Sequence, residues 1–140
     1  IHQRQRCRFI YISLFLVNGI LNLISDMKTT SLLDNRSPGK GKPVVDLLLE
    51  TSSTKELRVT MNEGEAMKEH KTPLPITIEV FEGAILFSVE GKEMILSRGD
   101  LIALEGNVPH SLVARKNSIV RLSLSKKDSL SRVNDVADQG

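Results

Sequence analysis

ITIEVFEGAILFSVEGKEMILSRGDLIALEGNVPH, residues 76–110, decides the fold of this chain. Its glycines, Gly83, Gly91, Gly99 and Gly106, recur at intervals of eight, eight and seven residues. Short apolar and β-branched segments lie between them. Turn signals at that interval predict antiparallel strands of a sandwich or barrel. The expected strands here are Ile76–Glu82, Ala84–Glu90, Lys92–Ser97 and Leu101–Leu104, with His110–Ala114 next. Val89-Glu90-Gly91-Lys92 reads as a tight hairpin, because Gly91 adopts positive φ without steric cost.

Outward from this stretch the pattern continues. Val44–Glu50, Glu56–Met61 and Ile119–Leu124 read as further strands. Side chains alternate across a strand, so Ile76, Ile78 and Val80 share one face and Thr77, Glu79 and Phe81 the other. Likewise Ile85, Phe87 and Val89 oppose Ala84, Leu86 and Ser88. Neither strand has a wholly polar face, so both faces are expected to be partly covered. Near the C-terminus the period changes. Leu130, Val133 and Val136/Ala137 fall at helical spacing, with Asp128 or Ser129 as N-cap. This predicts a short helix at Ser129–Ala137, packed on the outside of the barrel. The expected class is therefore all-β, a small barrel over 44–125, with a tail at 126–140 that carries the helix.

The N-terminal part differs in kind. Residues 1–26 open on a basic IHQRQRCR and pass into an apolar run, Phe9–Ile24. The run falls short of the ~20 apolar residues of a spanning helix. The residues before Asp26 make a poor signal-peptide cleavage site. Met27-Lys28-Thr29-Thr30 resembles a natural start, so residues 1–26 are expected to be an extension: upstream sequence first, a signal or membrane anchor second, a packing helix last. A membrane partner follows only from the second of these. Residues 27–43, with SLLDNRSPGKGKP at their end, read as a linker.

The chain has 140 residues and a formal net charge of +2. That charge is local: Arg4, Arg6, Arg8 and Asp26 supply it, and residues 27–140 carry 16 basic and 16 acidic groups. No basic patch is implied, and aromatics are 4% with no Trp, so stacking platforms for nucleic acid are missing. Nucleic acid is excluded as a partner on these grounds. A lone cysteine, Cys7, allows no internal disulfide, which points to a cytoplasmic protein.

Two of the three histidines occupy matching settings. His70 follows Gly64 by six residues and His110 follows Gly99 by eleven. With Gly83, these positions resemble the motifs of the cupin family, specifically its small single-domain members. The first motif, Gly-x5-His-x-His-x3–4-Glu-x6-Gly, is matched by Gly64, His70 and Gly83. Its second histidine position holds Thr72 and its glutamate position Ile76. The second motif, Gly-x5-Pro-x-Gly-x2-His-x3-Asn, is matched by Gly99 and His110. Glu105, Asn107 and Ala114 stand at its proline, glycine and asparagine positions. Asn107 is a mild change, since Asn tolerates positive φ. The resemblance spans Leu57 to Leu124 and implies a double-stranded β-helix, or jelly-roll, barrel.

Metal-binding cupins use three histidines and a glutamate, and two of those four ligands are absent here. The expected cofactor is none, or a weakly bound divalent transition metal on His70 and His110 as an incomplete set. Glu79 should point away from the site and Glu69 could help only across a bulge. The favoured reading is a non-catalytic barrel that captures a polar metabolite or sugar-like molecule. His70, Thr72 and His110 supply polar groups and Ile76 and Ile78 the apolar wall. The alternative is a metal-dependent cupin enzyme of dioxygenase or isomerase type. A metal-free enzyme with His110 as general base ranks last, because nothing marks a partner acid. Apolar outward residues such as Phe81 and Leu86 predict a homodimer through an outer sheet face and the first strand.

Overall fold

The computed structural model describes residues 7–15, 22–36, 39, 41–128 and 130–139. Among the described residues eleven strands and one helix run in order: β1 (Cys7–Phe15), β2 (Asn22–Thr30), β3 (Val44–Glu50), β4 (Thr54–Met61), β5 (Ala66–His70), β6 (Ile76–Glu82), β7 (Ala84–Val89), β8 (Lys92–Ser97), β9 (Leu101–Leu104), β10 (His110–Ala114), β11 (Ser118–Ser125) and α1 (Leu130–Gln139). β3 to β11 form two facing sheets, in the orders β5-β10-β7-β8 and β3-β4-β11-β6-β9, and every recorded pairing is antiparallel. This is the expected jelly-roll barrel with a short C-terminal helix.

Alternation builds the core. Ile76, Ile78 and Val80 are buried on β6, and Ile85 and Phe87 on β7, as their spacing requires. Leu57, Val59 and Met61 on β4 and Leu122 and Leu124 on β11 close the other side. At about 25 cal/mol per Å² of apolar surface removed from water, this continuous interior is the main stabilising term. The β7–β8 hairpin turns through Glu90 at φ 50° and Gly91 at φ 76°. Positive φ at both central residues is the hairpin geometry that matches strand twist.

The outer face of the five-stranded sheet is polar. Cross-strand neighbours Asp46, Arg58, Arg121 and Glu79 lie in register. Arg121 pairs with Glu56 at 2.7 Å and with Glu79 at 2.8 Å. Arg58 is fully buried: it pairs with Asp46 at 2.7 Å and donates to the carbonyls of Leu32, Asp34 and Asn35. Those carbonyls belong to the segment 32–35 that lies over the sheet, so one guanidinium fastens it down.

Four expectations are corrected. Within 1–26, the described residues make paired antiparallel strands rather than a helix: β1 pairs with β2, Cys7 opposite Thr30 and Phe15 opposite Asn22. Residues 1–6 and 16–21 lie outside the described residues, so the extension expected there is described only at its strands. Met27–Thr30, read as linker, finishes β2. β5 was not among the expected strands, because a bulge breaks its alternation: His70 pairs with His110, but Met67 pairs with Leu112. One residue on β10, Ser111, therefore stands against two on β5, Lys68 and Glu69, and Met67 and His70 face the same way despite their odd spacing. The helix, expected on the outside, instead buries Val133 and Ala137 in the core cluster. Ser129, one of its two expected N-caps, lies outside the described residues.

Candidate functional site

One cavity within the barrel is lined by Val59, Met67, His70, Thr72, Ile76, Ile78, His110, Leu112, Val120, Leu122, Arg132, Val133 and Val136. All five residues singled out in the sequence, His70, Thr72, Ile76, Ile78 and His110, are on its wall. They arrive from different elements. β5 brings His70, the loop after it Thr72, β6 the two isoleucines and β10 His110. Direct cross-strand pairing sets the two imidazoles 4.3 Å apart, centroid to centroid, with their planes tilted by 60°. Phe87 stacks beneath His110 at 5.8 Å and 22°.

The two loops that carry these groups are fastened together. Asn107 donates its backbone N–H to the Thr72 carbonyl at 2.6 Å. Asn107 has φ 65°, the conformation that the glycine of the motif would take. A Cβ on Gly106 would come within 2.6 Å of the Pro73 carbonyl oxygen, so only glycine fits there.

Hydrogen bonding fixes what the site offers. His70 Nδ1 lies 2.6 Å from the Lys68 carbonyl oxygen, and His110 Nδ1 2.9 Å from that of Val108. A carbonyl oxygen only accepts, so each Nδ1 carries the proton, and in the neutral ring Nε2 keeps its lone pair. Thr72 donates its hydroxyl to the Leu74 carbonyl at 2.8 Å, which leaves its oxygen as an acceptor. Burial pushes both imidazoles below the ordinary value of 6.5. Their hydrogen bonds to Lys68 and Val108 oppose the shift, and the charge of Arg132 adds to it. At His70 the neighbouring His110 adds to it too. Near neutral pH the cavity thus presents three neutral acceptors on walls that are hydrocarbon apart from Arg132.

Arg132 was missed from the sequence. It reaches the cavity from α1 and holds Asp128 by two bonds of 2.9 Å, from Nε and Nη2. The available signal was the i, i+4 spacing of Asp128 and Arg132 beside Val133 and Val136, which puts the pair on the helix edge that adjoins the apolar stripe.

The donor set does not fit a resident catalytic metal. Two imidazoles fall short of the three protein ligands usual in such sites. Ile76 places hydrocarbon where the motif has its carboxylate. Glu79 turns outward to Arg121, and Glu69, despite the bulge, stays exposed. Among the described residues no group of three or more His, Cys, Asp or Glu side chains is placed to hold a metal ion.

Comparison with known proteins agrees with the barrel. Residues 57–125 match the family of the Cupin domain. Over that segment the chain carries a cupin domain. An RmlC-like cupin protein from Desulfovibrio desulfuricans superposes with a TM-score of 0.65 at 22% identity, over 71% of this chain and 96% of that one. KdgF from Halomonas sp. gives 0.58 at 22% identity, over 66% and 86%. TT1209 from Thermus thermophilus gives 0.64 at 14% identity, over 71% and 98%. At these identities the likeness is one of fold. No curated protein matches the chain. Among the described residues no helix is long and apolar enough to cross a membrane.

Proposed function

We propose that this chain is a binding barrel for a small polar metabolite, sugar-like in its hydroxyl groups, and that it catalyses no reaction. The observation that carries the reading is the pair of imidazoles, each with Nδ1 spent on a backbone carbonyl. Their Nε2 atoms and the Thr72 oxygen are acceptors, so the matching ligand is a donor of hydrogen bonds. Vicinal hydroxyls suit two acceptors on adjacent rings. Ile76 and Ile78 supply the apolar wall that excludes water and strengthens each bond.

Calorimetric titration with a panel of small polyols and their deoxy analogues tests this. Binding should be lost in His110→Ala and weakened by removing one hydroxyl. A panel that binds no better than its deoxy analogues overturns it.

One observation favours a second reading: two adjacent Nε2 lone pairs are also what a divalent transition metal would take. Such an ion, completed by water, would be weakly held and removed by chelator. About one equivalent of a single metal in protein purified without chelator, lost in His110→Ala, would revive the enzyme.

We further propose a cytoplasmic homodimer. The five-stranded sheet around Phe81 is occupied by ion pairs, so the apolar contact fits the other sheet. There Val113, Leu86 and Ile95 are cross-strand neighbours, and Ile95 is 50% exposed. A monomer mass by light scattering, unchanged with concentration, would end that proposal.

A further inference from the structure

We propose that α1 is a lid on the cavity, and that ligand enters by its displacement; this rests on the binding reading above. The cavity holds about 30 Å³. That is room for water, against roughly 300–1,000 Å³ for sites that take metabolites. A wall must therefore move. Of the strands that form most of it, β4, β6, β10 and β11 are held by ladders on both sides, and the edge strand β5 is paired with β10 and buries Met67 in the core. Thr72 is held by Asn107 and Leu74. The remaining wall, Arg132, Val133 and Val136, comes from a ten-residue helix that belongs to no sheet.

The attachments of α1 set what its displacement would break. Before the helix the chain is fixed to the barrel: Lys126 N donates to Ser53 O at 2.9 Å, and Lys55 Nζ to Asp128 O at 3.0 Å. At the far end Lys42 pairs with Asp138 at 2.7 Å, with side chains 52% and 60% exposed. An ion pair so wetted is weak. Displacement of α1 would break that pair and the packing of the helix on β3 and β5, with Val133 and Ala137 leaving the core, and leave every strand in place. The Arg132–Asp128 pair bridges the fixed segment to the moving one.

Diethyl pyrocarbonate is the probe. It acylates an unprotonated imidazole nitrogen, and the rate is read peptide by peptide, by mass spectrometry on the full chain. His110 is 2% exposed, so it should react far more slowly than free imidazole. Asp135 is exposed in mid-helix. Asp135→Pro should break α1 and raise the His110 rate on the order of a hundredfold, while Asp135→Ala leaves it unchanged. Retained cooperative unfolding shows that the barrel persists. If Asp135→Pro fails to fold, Asp135→Gly replaces it, with an expected rise of about fivefold. Equal rates in the helix-breaking and alanine variants overturn the lid, as does a full chain that reacts as fast as free imidazole. These rates do not depend on any metabolite, so a ligand panel that binds nothing would sink the binding reading and leave them untouched.

Discussion

His70 and His110 are direct cross-strand partners on β5 and β10, and the bulge beside them lets Met67 and His70 face the same interior. With ring centroids 4.3 Å apart, two charges there would repel in a water-poor setting. The pair is therefore built to be neutral, and its chemistry is that of acceptors.

Stability should depend on pH through this pair. Both folded values lie below 6.5, chiefly because of burial. Above 6.5 both rings are neutral whether folded or not, and their contribution is complete. As pH falls, the unfolded chain takes up protons that the folded chain refuses, so stability is lost from about 6.5 down to the depressed values. Thermal unfolding from pH 8 to 5 should show this decline. His70→Asn with His110→Asn should flatten it, and an unchanged slope would refute the assignment.

Gly83→Ala should destabilise by about 2 kcal/mol or more, with φ +89° and a Cβ only 2.5 Å from the Asn117 carbonyl oxygen. Gly91→Ala should cost less, about 1 kcal/mol, since φ is +76° but nothing lies within 4 Å. Denaturant midpoints of the two variants give the order directly.

Arg58→Met should cost about 3–5 kcal/mol, the scale for breaking a buried ion pair. It removes the guanidinium from Asp46 and from three carbonyls of residues 32–35. Amide exchange should quicken in residues 32–35 before it does in the core strands. A midpoint within about 1 kcal/mol of the parent would show that the segment needs no such fastening.

Thr72→His with Ile76→Glu supplies the two ligand types that the motif lacks here. Without metal the double variant should be less stable, because Ile76 is 3% exposed and a carboxylate there loses its water. With Zn²⁺ or Ni²⁺ its melting temperature should rise with metal concentration, by mass action on the folded state. The parent chain should show at most a small shift.

Much of this was legible along the chain. Glycines at intervals of eight, eight and seven residues punctuated the strands, and alternation assigned Ile76, Ile78 and Phe87 to the interior, because a strand has period two whatever it packs against. The five site candidates could be named because sequence spacing fixes their places in the motif. Local periodicity fails where pairing is irregular. β5 was hidden by a bulge that exists only because β10 lies beside it, and Arg132 reached the cavity because a helix folded back across strands distant in sequence. What the sequence determined by itself was the strand set, its inward faces and the loss of half the metal motif, for these depend on neighbours a few residues apart. Only the tertiary structure decided the 4.3 Å pairing of the histidines, their tautomers and the helix over the cavity, since each needs groups that chain order keeps far apart.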